Sequence, residues 1–141
     1  MTVNLVKMAV GARGPAHLAQ IQADRLRQAE NMDIRHITRH APRRASELLD
    51  GGSIYWVIRG FIRMRQLILG VERLVNAEAR PSCALVLDPM LVKVELRALK
   101  AFQGWRYLET QKAPPDNVAP ENAGNGMPRE LAMELKALGL L

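Results

Sequence analysis

The six aromatic rings of this chain fall in two short stretches. One is Tyr55-Trp56-Val57-Ile58-Arg59-Gly60-Phe61 and the other is Phe102-Gln103-Gly104-Trp105-Arg106-Tyr107. Each places rings beside an arginine and a glycine. A flat ring next to a guanidinium is the pairing that single-stranded nucleic-acid sites use, the ring stacking a base and the cation holding a phosphate. A neighbouring glycine leaves room for a ligand to approach the backbone. The competing reading makes the rings core and the glycines bulges, because aromatic side chains carry the largest apolar area per residue. On a strand both readings can hold, since alternate residues face opposite ways. Ile54, Trp56 and Ile58 are expected to face the core, with Tyr55 and Arg59 on the other side. In the second stretch Trp105 and Tyr107 share one face, and Phe102, Gly104 and Arg106 the other.

The charge pattern adds a second argument. The formal net charge is +6, and many arginines lie between Arg35 and Arg73. Arginine stays charged and offers a planar fork that fits phosphate or carboxylate. An anionic partner such as RNA, DNA or a phosphorylated ligand follows from that balance. A solvated basic face that only keeps the protein soluble fits the charge equally well. Taken with the rings, the expected nucleic-acid site comprises Arg39, Arg43, Arg44, Arg59, Arg63, Arg65 and Arg106 on phosphates, with Tyr55 or Trp105 stacking a base.

Other chemistries find less support. Gly51-Gly52-Ser53 lacks the lysine and the glycine spacing of a phosphate loop, and it precedes a strand where that mechanism needs a helix N-terminus. It reads as a helix end followed by a turn. His36 and His40 would share a strand face, but no acidic residue or cysteine stands near them, and His17 is distant in sequence. Zinc takes three or four protein ligands, so no metal site is expected, and no cofactor. Cys83, the single cysteine, sits in the apolar run Cys83-Ala84-Leu85-Val86-Leu87 and reads as a buried small hydrophobe. No Gly-x-Ser-x-Gly elbow, Cys-His pairing or HExxH motif occurs. Asp88, before Pro89, stands where a strand ends; it suits a functional acid and a turn cap alike.

The elements that must position these residues come next. At 141 residues the chain is expected to form one domain, residues 1–141, with a core that needs no disulfide. A reducing, cytoplasmic setting is expected from the lone cysteine, the absence of a targeting signal, and the absence of an apolar run long enough to span a bilayer. Val3 to Val10 reads as a strand, and Gly14-Pro15 opens a helix. Ile34 to His40 reads as a strand, and Pro42 starts a short helix closed at Gly51. Ser53 to Ile58 is a strand of β-branched and aromatic residues. Phe61 to Val75 fits both periods; Gly60 can turn a hairpin and Gly70 weakens a helix, so a strand is preferred. Ser82 to Leu87, Leu91 to Leu96 and Phe102 to Leu108 are further strands, the first closed by Asp88-Pro89. A loop from Ala113 to Gly126 precedes a final helix opened by Pro128, with Leu131, Leu135 and Leu138 as its stripe. The fold class is α+β: a bent, largely antiparallel sheet, or a small pseudobarrel, with flanking helices.

Several of these segments resemble one family. Pro42-Arg43-Arg44-Ala45, Gly51-Gly52-Ser53-Ile54-Tyr55-Trp56 and Leu85-Val86-Leu87-Asp88-Pro89 are similar to an uncharacterised family of short bacterial proteins, domain-of-unknown-function family 1489. So are Phe102-Gln103-Gly104-Trp105-Arg106-Tyr107-Leu108, Ala113-Pro114-Pro115-Asp116 and the closing Leu138-Gly139-Leu140-Leu141. The resemblance covers nearly the whole chain and implies no activity. The order of helix, Gly-Gly, strand, hairpin and short strands is also similar to PUA-like pseudobarrels. Several of these bind RNA or modified bases, some through aromatic pockets. Fold likeness alone does not carry function.

The leading expectation is therefore a non-enzymatic RNA-binding module. An enzyme or small-ligand binder is the alternative, with Arg59 and Arg106 clamping an anionic substrate and Asp88 assisting. A protein-interaction domain that docks a partner through a strand edge or the last helix is the third reading.

Overall fold

The computed structural model describes residues 2–28 and 34–117. Among these residues six strands and two α-helices follow one another as β1 (Val3–Met8), α1 (Pro15–Gln28), β2 (Ile34–Thr38), α2 (Ala45–Leu48), β3 (Ser53–Ile58), β4 (Phe61–Val75), β5 (Pro81–Ala98) and β6 (Trp105–Glu109). The strands form one mixed sheet in the order β2-β5-β4-β3-β1-β6. It does not close into a barrel: β2 and β6 are its two edges. β1 and β3 run parallel, and the other pairings are antiparallel. Parallel partners need a long connection. Here that connection contains α1, β2 and α2. The fold class is the expected α+β, with a bent sheet and flanking helices.

Phe61 to Val75 is a strand, as the hairpin reading requires. Its partner β5 is longer than expected. Ser82 to Leu87 and Leu91 to Leu96 are not separate strands; β5 runs through Asp88-Pro89 without ending. Pairing passes from Ile68↔Leu87 to Gln66↔Leu91, so residues 88–90 bulge opposite Leu67. Proline is tolerated at a bulge because its missing N–H is not needed by the ladder there. Asp88 Oδ1 accepts the Met90 amide at 2.8 Å, and the Asp88 carbonyl accepts from Gln66 Nε2 at 2.8 Å. Further register shifts in β4 bend this ribbon. At its tip Asn76 organises the turn, its Oδ1 accepting the Glu78 and Arg80 amides.

The sheet is covered on both faces. On the helix side Val3, Leu5, Ile54, Trp56, Ile58, Met64 and Leu85 pack with Leu18 of α1 and Leu48 of α2. On the other side Val6, Tyr55, Val57, Ile62 and Val94 pack with Phe102, Leu108 and Ala113. All six residues of β3 are buried. This corrects the expectation that Tyr55 is open to stack a base. Ile54, Trp56 and Ile58 do face a core, but Tyr55 faces a second core and is only 7% exposed. An uninterrupted apolar strand such as Ser-Ile-Tyr-Trp-Val-Ile is the signature of burial on both faces.

A polar network and two glycines shape the centre. Gln22 and Gln66 exchange side-chain amide hydrogen bonds at 2.9 and 2.7 Å, and Trp56 Nε1 donates to Gln66 Oε1 at 3.1 Å. A fully buried glutamine on a central strand is thereby satisfied. Gly51 adopts φ +85° just past α2, as the helix-end reading expects. At Gly52 there is no space for a side chain: a Cβ would stand 2.3 Å from the Val3 carbonyl and 2.5 Å from that of Leu48.

The remaining expectations shift at their ends. β1 stops at Met8, β2 at Thr38, and β6 spans Trp105–Glu109. Gly104, at φ +73°, turns the chain into β6. Most of the expected loop after Ala113 and the helix opened by Pro128 lie outside the described residues.

Candidate nucleic-acid interface

Register brings one group of cations together. Thr38, the last residue of β2, pairs with Cys83, and Cys83 pairs with Arg73 of β4. The chain leaving β2 through Arg39, His40 and Arg43 therefore passes the hairpin arm carrying Arg73 and Ser82. The same segment touches the opposite edge of the sheet. Trp105 Nε1 donates to the His40 carbonyl at 3.0 Å, and the Arg44 amide donates to Tyr107 Oη at 3.1 Å. β2 and β6 are five places apart in strand order, so the sheet curls until residues 39–44 bridge its two edges.

Two neighbouring clefts open along this bridge. The first, about 560 Å³, is lined by Arg39, His40, Arg43, Arg73, Trp105 and Tyr107 among others. The second, about 720 Å³, is lined by Lys7, Arg39, His40, Gln103, Gly104 and Trp105 among others. Among the described residues no carboxylate lines either cleft. Arg39, Arg43 and Arg73 are exposed, and among the described residues none has a carboxylate partner. Partial burial holds the Lys7 ammonium below its usual range. Trp105 meets Tyr107 edge to face, with ring centroids 5.0 Å apart at 71°. Together with its bond to His40 this fixes the indole plane. Exposed cations around a fixed ring, with no carboxylate in the described lining, favour a ligand that carries both a negative charge and a flat apolar group.

The expected site residues divide sharply. Arg39, Arg43 and Trp105 line the clefts. Arg44 stands at their rim, but its guanidinium is engaged by Glu47 at 2.5 Å and Glu109 at 3.1 Å, and lies 5.3 Å from the Tyr107 ring centroid. The hydrogen bonds to Glu47 and then Glu109 raise its pKa further above an arginine's ordinary value and keep Glu47 low. Arg65 forms a two-pronged pair with Asp116, at 2.6 and 2.7 Å, and bonds Ser53 Oγ at 3.1 Å. That pair holds the Asp116 carboxyl below its usual value. Arg63 is buried, its Nε donating to the Ile58 carbonyl at 3.1 Å and its guanidinium 5.7 Å from the Phe61 ring centroid. Arg59 is exposed in the β3–β4 turn at φ +50°. Arg106 is exposed on the opposite side of β6 from Trp105, 4.4 Å from the Phe102 ring centroid. Burial raises the Tyr55 phenol above its ordinary pKa, and the ring has no free face for a base because Val6, Val57 and Ile62 pack around it.

Lys7, Arg73, His40, Gln103 and Tyr107 are cleft residues absent from the expected site. Only the pairing of Arg73 with Cys83 and of Cys83 with Thr38 joins Arg73 to Arg39, and a one-residue register change would undo it. The histidines sit in unlike surroundings. His17 Nδ1 accepts the Arg13 amide at 3.0 Å in a local turn. His36 packs edge-on against Trp56, with centroids 5.0 Å apart. Burial, then Lys7 and Arg25, push its pKa down to about 4. Cys83 is buried, as its apolar run implies, and burial pushes its thiol up.

Comparison with known proteins returns one family. The family model described as Protein of unknown function (DUF1489) matches residues 5–141. No curated protein and no solved structure matches the chain.

Proposed function

The chain belongs to DUF1489, a family of unknown function, and from the geometry of its clefts we propose that it is a non-enzymatic nucleic-acid-binding module whose ligand is RNA. One observation carries this reading: Arg39, Arg43 and Arg73 surround the Trp105 and Tyr107 rings in clefts whose described lining holds no carboxylate. Guanidinium groups recognise phosphates by forked hydrogen bonds, and an oriented ring stacks any base. Single-stranded RNA presents both groups in alternation. The phosphate contacts pass to Lys7, Arg39, Arg43 and Arg73. Arg44 and Arg65 become structural, because their charges are already matched by carboxylates. The base contact passes to Trp105. We place the site of action in the cytoplasm, on the strength of a lone buried thiol that suits a reducing compartment.

The reading as an enzyme with Arg59 and Arg106 as a clamp draws no support from these clefts, which neither residue lines. Asp88 spends its Oδ1 on the Met90 amide. Docking of a protein partner draws on exposed apolar residues such as Val75 and Met90, but scattered ones are ordinary on any surface.

Titration with a single-stranded RNA at several salt concentrations tests the proposal. Displacing counterions from a single strand gives a slope of about −0.7 per phosphate contact. Lys7, Arg39, Arg43 and Arg73 therefore predict a log–log slope near −3 (about −0.7 × 4). No binding at low salt, or affinity indifferent to salt, overturns it.

A further inference from the structure

We infer that the clefts take two consecutive nucleotides of a single strand, one on each side of Trp105, with the bridging phosphodiester at Arg39. This rests on the nucleic-acid reading and adds to it the size and form of the ligand. The two clefts share three lining residues: Arg39, His40 and Trp105. The Trp105 ring, the permanent cation of Arg39, and His40, whose carbonyl holds the indole, thus form the divide, and each basin has its own chemistry beyond it. One contains Arg43, Arg73 and the Tyr107 ring. The other contains Lys7, the Gln103 amide and the backbone beside Gly104. A step in a nucleic-acid strand has the same layout: two flat groups joined through one negative charge, with further charges outward on both sides. Each basin, at about 560 and 720 Å³, lies in the range that holds a small molecule. The indole dividing them is held by its bond to the His40 carbonyl and by Tyr107, so little freedom is lost when a base stacks on it. A duplex does not fit this arrangement, because its bases are stacked inside and offer no free face.

The unequal basins also offer different contacts to the two bases. Tyr107 adds a second ring to the first basin, whereas Gln103 offers a donor and an acceptor to a base edge in the second. Arg39 at the divide then meets the phosphodiester from whichever side the strand enters.

The test compares UpU with uridine 3′-(methyl phosphate), which carries the same single charge but lacks the second nucleoside. A longer single-stranded RNA and its duplex are measured in parallel. Isothermal titration calorimetry measures binding by the protein and its variants, and Trp105 fluorescence adds a direct readout in the unsubstituted protein, since Trp56 is buried and Trp105 lies at the clefts. UpU is expected to bind about tenfold or more tighter than the methyl ester, the effect of one stacked base. Trp105→Leu should erase that difference, and Trp105→Phe should keep part of it with the fold intact. Equal affinity for UpU and the methyl ester, with salt-dependent binding of the longer strand retained, overturns the two-nucleotide site and leaves the RNA reading standing. Duplex binding as tight as single-strand binding also overturns it. No binding of any RNA at low salt overturns both.

Discussion

An arginine's role is decided by what stands within a few ångströms of its guanidinium. Arg44 and Arg65 face carboxylates, Arg63 and Arg106 lie near rings, and Arg39, Arg43 and Arg73 border the clefts. In sequence these residues look alike. Of the carboxylate partners of Arg44 and Arg65, Glu47 is local, whereas Glu109 is 65 positions from Arg44 and Asp116 is 51 from Arg65. The rings follow the same logic: Trp56 is recognisable as core from its apolar neighbours, while the burial of Tyr55 depends on Val6 and Val94. His36 supplies a prediction at this scale. Its folded pKa of about 4 lies below the ordinary 6.5 because burial, Lys7 and Arg25 oppose the charged form. Between those values the unfolded chain binds the extra proton, so stability falls as pH drops through the window. The loss by about pH 5 should be of order 1–2 kcal/mol after allowance for partial exposure. Urea unfolding across this range should show the fall, and His36→Phe should flatten its upper half. A slope unchanged by the substitution would remove His36 as the cause.

At the scale of elements, period and punctuation locate most of the strands. Gly60 turns β3 into β4, Pro15 opens α1, and Gly51 ends the short helix. The Asp88-Pro89 pair misleads, because proline can mark a bulge as well as an end, and the choice depends on whether a partner strand continues alongside. Here β4 does continue, and Gln66 reaches across to the Asp88 carbonyl. Gly52 shows the same limit. Its place after a helix is legible, but the reason it must be glycine is the Val3 carbonyl, 49 positions away. Gly52→Ala should cost about 2–3 kcal/mol or more, since the new methyl meets backbone and not a movable side chain. Chemical denaturation measures this. A change within about 0.5 kcal/mol would mean that β1 and α2 separate more easily than their contact implies.

For the molecule as a whole, the decisive event is the curl of the sheet. It brings the segment after β2 onto β6, and the clefts form where they meet. The proposed function predicts two separable classes of arginine variant. Replacing Arg39, Arg43 or Arg73 by alanine should weaken RNA binding and reduce the magnitude of the salt slope by about 0.7 to 1 each, with thermal stability nearly unchanged. Arg65→Ala should leave the slope alone and cost about 1 kcal/mol or less, the range of a partly exposed ion pair. Binding isotherms and melting curves on the same variants separate the two. A slope that responds equally to Arg65 would move the interface to the other side of the sheet.

The sequence by itself determined the α+β class, the strand from Phe61 to Val75, the likeness to one family, and the two stretches where rings and arginines meet. These follow from local periodicity, from turn chemistry and from residue identities that lie close together in the chain. Only the tertiary structure decided which rings of the two stretches border a cleft and which arginines keep an unmatched charge. Both depend on residues brought together by strand order and register across 50 positions or more, such as Tyr107 against Arg44 and Trp105 against His40. Pairwise distance at that range is a property of the packed sheet, so Tyr55 went inside while Trp105 came to the clefts.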